Sequence, residues 1–192
     1  LSIVMQLSAI QRAFIAGVRV KEVIAFEHER KNGNEIDVKE GKVEFRNVKF
    51  EYKEGIPVLK NISFSVDKGE TVAFIGKTGC GKSTLMNLLL GFYEGYEGEI
   101  LIDGQNIKTL SLASLRRDIA IVLQEPYLFE GSIFDNIGMG VEKITKEEAI
   151  KYLESVGGKS IIDRDSNGIM QTVNENGKNF SHGERQIICF AR

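Results

Sequence analysis

Gly76-Lys77-Thr78-Gly79-Cys80-Gly81-Lys82-Ser83-Thr84 is the stretch on which the reading of this 192-residue chain turns. It has a glycine, four residues, then Gly-Lys-Ser, the spacing of a phosphate-binding loop. Just ahead of it, Thr71 to Ile75 is a short apolar run bounded by Gly69 and Gly76. That pattern predicts a strand buried on both faces, with a helix to follow the loop. Glycines let the backbone curl until successive N–H groups point inward, forming an anion nest at a helix N-terminus where the peptide dipoles favour negative charge. A triphosphate is the natural guest. Lys82 is then expected to reach the β- and γ-phosphates, and the Ser83 hydroxyl to be a ligand for Mg²⁺. The alternative, a glycine-rich turn that binds nothing, leaves the lysine and the strand-to-helix setting as coincidences. Cys80 reads as a spacer within the loop, and its alkylation is expected to block nucleotide.

Working outward, Val43, Phe45, Val48, Phe50 and Tyr52 alternate with one slip, and Ile62, Phe64 and Val66 alternate cleanly, so two strands are predicted with a turn near Glu54-Gly55. Ile100 to Ile102 and Ile119 to Leu123 read as further strands. Thr145 to Val156 reads as a helix opened by a capping box, Thr145 with Glu148 three residues on, and Ser181 with Glu184 repeats that spacing at the start of the last helix. At the front, Ile3, Leu7, Ile10, Phe14 and Gly17 fall on one helical stripe. A docking helix and a helix packed on its own domain both fit that stripe. The charged, Gly- and Asn-containing stretch that follows reads as a linker.

Composition narrows the function. With 42% hydrophobic and 27% charged residues the chain is that of a folded protein. Its 25 basic and 27 acidic residues give a net charge of −2, which argues against a nucleic-acid partner held by bulk charge. Cys80 and Cys189 have neither metal-ligand spacing nor a disulfide framework around them, and a reducing compartment is expected. No run approaches the roughly 18 apolar residues of a membrane span. The start at Leu1 and the end inside an unfinished helix are expected to mark a piece of something longer. No Asn-Lys-x-Asp guanine reader occurs, which argues against a GTPase of the common type.

Taken in order, several segments resemble the ATP-binding cassette family, in its exporter branch related to multidrug and peptide transporters. Tyr52, upstream of the loop, matches the family's aromatic that stacks on adenine, a role for which a flat ring gives contact area at little ordering cost. Val122-Leu123-Gln124-Glu125-Pro126 resembles the Q-loop, and Gly131-Ser132-Ile133-Phe134-Asp135-Asn136-Ile137 resembles the stretch exporters carry next. The resemblance gives Gln124 the task of ligating Mg²⁺ or the attacking water and reporting the γ-phosphate to a membrane domain. Thr172 to Gly177, then Phe180-Ser181-His182-Gly183-Glu184-Arg185-Gln186, resemble the exporter cross-linking loop and the signature motif. The usual signature is Leu-Ser-Gly-Gly-Gln. Ser181 and Gly183 hold their places, while Phe180, His182 and Glu184 depart from it.

The resemblance implies an α/β fold: a P-loop NTPase core of mostly parallel sheet with flanking helices, an N-terminal antiparallel β-subdomain and a helical subdomain, preceded by a helix. It implies residues 1–30 as a helical extension from a last transmembrane helix, 31–42 as linker and 43–192 as an ATP-binding domain incomplete at its C-terminus. It further implies an ATPase that uses ATP and Mg²⁺ at the cytoplasmic face of a membrane. Catalysis would fall to Lys82 and Gln124, and nucleotide binding to Tyr52, the loop Gly76, Lys77, Thr78, Gly79, Cys80, Gly81, Lys82, Ser83 and Thr84, with Gln124, Ser181 and Gly183. Ser83 and Gln124 would hold the metal. Ser181 and Gly183 would face the nucleotide of a second cassette in a head-to-tail homo- or heterodimer, the departures tilting toward an asymmetric pair, and the transmembrane domain of the transporter would be the other partner.

Glu184 brings negative charge near a phosphate and His182 brings bulk, so that half-site is expected to be weakened and not abolished. The family's catalytic Asp-Glu and later switch His have no match in these residues: Ile100-Leu101-Ile102-Asp103 is followed by Gly104 and falls in a hairpin, and His28 and His182 are in the wrong places. The 192 residues alone are therefore expected to bind ATP weakly and turn over little or none. A non-hydrolysing nucleotide-binding module and a non-transport ATPase of the same family are the competing readings.

Overall fold

The computed structural model describes residues 2–26, 29–141 and 143–192, and the side chains from residue 10 onward. The chain divides into two compact units, residues 1–120 and 121–192. In the first, helix α1 (Ser2–Ile24) precedes strands β1 (Val43–Glu51) and β2 (Pro57–Val66), helix α2 (Lys82–Leu89), strands β3 (Glu97–Ile102) and β4 (Gln105–Asn106) and helix α3 (Leu112–Arg117). The sheet runs β2-β1-β3-β4, antiparallel throughout. In the second unit a short antiparallel pair, β5 (Gly131–Ser132) with β6 (Thr172–Val173), accompanies α4 (Ile133–Ile137), α5 (Lys146–Ser155), α6 (Lys159–Asp163) and α7 (His182–Ala191).

The slip in the β1 alternation is a bulge. Phe45 pairs with Phe64 and Val48 with Ile62, and the ladder shifts between them. Asn47 absorbs the extra residue with φ 51°, a left-handed conformation that asparagine tolerates better than most residues. Phe45, Val48 and Phe50 all still face inward. They join Leu59, Leu88, Ile100, Leu110 and Leu115 in the core of the first unit, so α2 is seated on the sheet through Leu85 and Leu88. The core of the second unit gathers Leu128, Ile133, Ile137, Leu153, Ile161, Phe180 and Ile188. α5 contributes Ala149 and Leu153, one helical turn apart and so on one face. Thr145 and Glu148 form the predicted capping box at its start.

Two predicted strands differ from expectation. Neither Thr71–Ile75 nor Ile119–Leu123 joins a ladder with any described residue, and Ile75 is 96% exposed. A strand buried on both faces needs a hydrogen-bonded neighbour at each edge and a layer over each face, and the described residues supply neither. Phe74 lies edge-on to Phe64 at 5.2 Å between ring centroids, and Ile119 packs partly buried against the core of the first unit.

The segment read as linker is packed against the first unit. Ile36 is buried, its N–H donating to the Ser114 hydroxyl and its carbonyl accepting from it, and Asn34 bridges to Leu110. Its charged composition hid Ile36 in the core and Val38 packed partly buried against it. The described side chains of α1 show no such packing: Ile10, Phe14, Val18 and Val23 are all exposed. Among the described residues no helix is long and apolar enough to cross a membrane. His28 lies outside the described residues, as do the side chains of Ile3 and Leu7.

Candidate nucleotide site

The loop from Gly76 leads straight into α2, as the sequence predicts. Gly79 and Gly81 take φ 84° and 97°, the left-handed region open to glycine, and the Cys80 N–H donates to the Lys77 carbonyl to close the turn. Gly81 is also the N-cap of α2, and no side chain caps that helix. Its first N–H groups are therefore free to meet an anion. By contrast α4, α5 and α7 each open with a complete capping box.

Lys82 folds back over the loop. Its ammonium donates to the carbonyls of Gly76 at 2.8 Å and Lys77 at 2.9 Å, with the Cys80 sulfur 3.6 Å away. Those carbonyls hold the cation at the mouth where phosphate oxygens would compete for it. Ser83 is exposed beside it, and Thr84 is buried. Thr84 shares a hydrogen bond of 3.0 Å with the Tyr52 hydroxyl, which ties the end of β1 to the first turn of α2. Tyr52 in turn meets Phe50 and Tyr93 edge-on, at 4.9 and 5.1 Å between centroids, and stays 49% exposed. The structure thus brings the proposed stacking ring and the phosphate loop into one unit. Tyr93, which props that ring, carried no motif in the sequence; the only hint was an aromatic pair directly after Gly91.

Hard oxygen donors suit Mg²⁺, and the Ser83 hydroxyl and Gln124 amide oxygen are of that kind. Among the described residues no group of three or more His, Cys, Asp or Glu is placed to hold a metal. Gln124 lies in the second unit, exposed in a bend. The segment after it is a structural knot. Ser132 and Asp135 cap α4 reciprocally, and Asp135 is held below the usual carboxylate range by the Ser132 hydroxyl and N–H. The fully buried Asn136 donates to the carbonyls of Phe129 and Ser132 and accepts from the Phe129 N–H and the Arg192 guanidinium.

At the signature, Ser181 caps α7, its hydroxyl accepting from the Glu184 N–H while the Glu184 carboxylate accepts from the Ser181 N–H at 2.7 Å. Gly183 faces open space. Sequence reasoning missed Arg164, which follows α6: its guanidinium pairs with the other oxygen of Glu184 and lies over the Phe180 ring, 5.2 Å from its centroid. Burial works against the Glu184 charge, but the two bonds from Ser181 and the nearby Arg164 outweigh it and keep the carboxyl below its ordinary range.

Asp103 has a purely structural task. It accepts from the N–H groups of Lys39, Glu40 and Lys42, at 2.8 to 3.1 Å, and so ties residues 39–42 to the β3–β4 turn.

The family profile for the ABC transporter matches residues 59–192, the phosphate loop and signature included. The chain belongs to the ABC transporter family. Among curated ABC transporter relatives, the probable multidrug resistance ABC transporter ATP-binding/permease protein YheH of Bacillus subtilis (strain 168) is 44% identical over 191 residues, covering 99% of this chain and 28% of the relative. The ATP-dependent lipid A-core flippase of Pasteurella multocida (strain Pm70) is 41% identical over 155 residues, 80% of this chain and 27% of that protein. A solved structure of a bacterial Atm1-family ABC exporter with ATP bound superposes with a TM-score of 0.85 at 33% identity, over 97% of this chain and 34% of that one. The fold is that of an exporter's nucleotide-binding domain, and the chain spans between about a quarter and a third of the length of these relatives.

Proposed function

We propose that this chain is the ATP-binding and hydrolysing motor domain of an ABC exporter, working at the cytoplasmic face of a membrane and coupling ATP-driven pairing of two cassettes to movement in a transmembrane domain. The reading is carried by the uncapped N-terminus of α2 at the phosphate loop, with Lys82 poised across its mouth. Tyr52 stacks the adenine, the loop N–H groups hold the β-phosphate, and Lys82 leaves its carbonyls for the β- and γ-phosphates. Ser83, at the start of α2, is a side chain that would hold Mg²⁺, which supplies charge neutralisation on the phosphate oxygens. Ser181 and the N–H groups of the first turn of α7 meet the nucleotide carried by the other cassette.

The family's catalytic Asp-Glu pair has no match among these residues, and on this reading the 192 residues by themselves hold ATP without turning it over. Calorimetric titration with ATP and Mg²⁺ tests the core of this reading. Binding that disappears in Lys82→Ala is expected, and a wild-type protein with no affinity for the nucleotide overturns it. Steady phosphate release from the isolated 192 residues contradicts the second part.

A further inference from the structure

An acid in the first turn of a phosphate-facing helix is at first sight a liability, because its charge lies where the anion is to arrive. The surroundings of Glu184 show how this chain handles it. One carboxylate oxygen accepts from the Ser181 N–H at 2.7 Å, and the other is taken by the Arg164 guanidinium. Both oxygens are thus turned to partners within the protein. Arg164 is itself placed by the Phe180 ring beneath it, and Phe180 is 3% exposed. Arg185 adds a bond to the Phe180 carbonyl at 2.9 Å, fixing the same residue from the backbone side. The two positions where the signature departs by charge and by ring, Glu184 and Phe180, therefore meet in one side chain from outside the motif.

We infer that Arg164 is a positioning residue that cancels the Glu184 charge and locks its carboxylate into the Ser181 cap, so that the N-terminus of α7 still accepts the γ-phosphate of a partner cassette. This rests on the function proposed above. It deepens the expectation of a weakened half-site: the weakening that Glu184 alone predicts is offset as long as Arg164 is present. A bystander arginine would show the same effect whatever stands at position 184; a compensating one loses its effect when the charge it compensates is removed.

The test is a double-mutant cycle on the full-length protein, reading ATP-dependent association of the cassettes by site-specific cross-linking. Arg164→Ala is expected to weaken association about tenfold, and to change it less than about twofold when Glu184→Gln is also present. Arg164→Lys keeps the charge and is expected to retain most of the association; Arg164→Gln keeps a donor without charge and is expected to behave like Arg164→Ala. Equal losses with and without Glu184→Gln, or no loss in Arg164→Ala and Arg164→Gln alike, overturn the inference. ATP binding at the Lys82 loop is expected to be unchanged in all four. Wild-type protein that binds ATP yet never associates its cassettes sinks the proposed function itself, which is a distinct result.

Discussion

The ammonium of Lys82 donates to the carbonyl of Gly76 at 2.8 Å, so the cation proposed to meet a triphosphate also ties its own loop closed. Two consequences follow from one side chain. Lys82→Ala is expected to lower affinity for ATP with Mg²⁺ at least about tenfold, a loss of ~1.4 kcal/mol or more, as titration calorimetry reads it. It is also expected to speed amide hydrogen exchange through residues 76–80 without nucleotide, since the loop loses its internal tie. Unchanged exchange with lost binding would leave the ligand role and remove the latch.

Tyr52 has two separable parts, a ring propped by Phe50 and Tyr93 and a hydroxyl bonded to Thr84. Stacking on a base uses only the ring. Tyr52→Phe is expected to keep ATP affinity within about twofold, whereas Tyr52→Ala loses stacking on the order of 1–3 kcal/mol, roughly 5- to 150-fold. Affinity for inorganic triphosphate, which has no base, should not separate the two variants. Equal losses in both would assign the residue to the Thr84 bond instead.

Gly79 and Gly81 share a left-handed backbone but not the same space. A Cβ on Gly81 meets the Leu59 Cδ2 at 2.7 Å, and one on Gly79 meets nothing within 4 Å. Gly79→Ala carries only the conformational cost, about 1 kcal/mol. Gly81→Ala adds displacement of a buried leucine and is expected to cost about 2–4 kcal/mol in all. Thermal unfolding should rank them in that order, and equal shifts would mean the Leu59 contact yields freely.

These contrasts show which parts of the molecule the sequence carries. The phosphate loop was legible because its function requires backbone conformations that few residues allow, so Gly79, Gly81 and Lys82 leave a spaced signature. The capping boxes at Thr145 and Ser181 were legible for a similar reason: both partners lie within one turn. The β1 bulge appeared as a broken alternation. Arg164 was invisible, because an ion pair across 20 residues of chain leaves no periodic trace. Ile36 was not legible among its charged neighbours, since a single buried residue does not alter composition. The apolar runs at Thr71–Ile75 and Ile119–Leu123 announce strands, but a ladder is a property of two segments, and neither run contains its neighbour.

Asp103 gives the first unit a dependence on pH. Partial burial opposes its charge, yet the N–H groups of Glu40, Lys39, Lys42 and Gly41 outweigh that and hold its carboxyl below the ordinary aspartate value of 3.8. A depressed folded pKa means that the unfolded chain takes up the proton first as pH falls. The stabilisation is therefore complete above about pH 4 and drains away as pH drops from the ordinary value through the lower, folded one. Asp103 sits at φ 48°, which asparagine also accepts, so Asp103→Asn removes the charge without disturbing the backbone. That variant is expected to lose about 1 kcal/mol at pH 7, where the group is partly screened by solvent, and to converge with the wild type in acid. Denaturant unfolding at pH 7 and pH 3 reads both arms. A deficit that stays constant across that range would mean that the N–H groups of residues 39–42 bind an amide oxygen less well for reasons of shape, with the carboxylate charge contributing nothing.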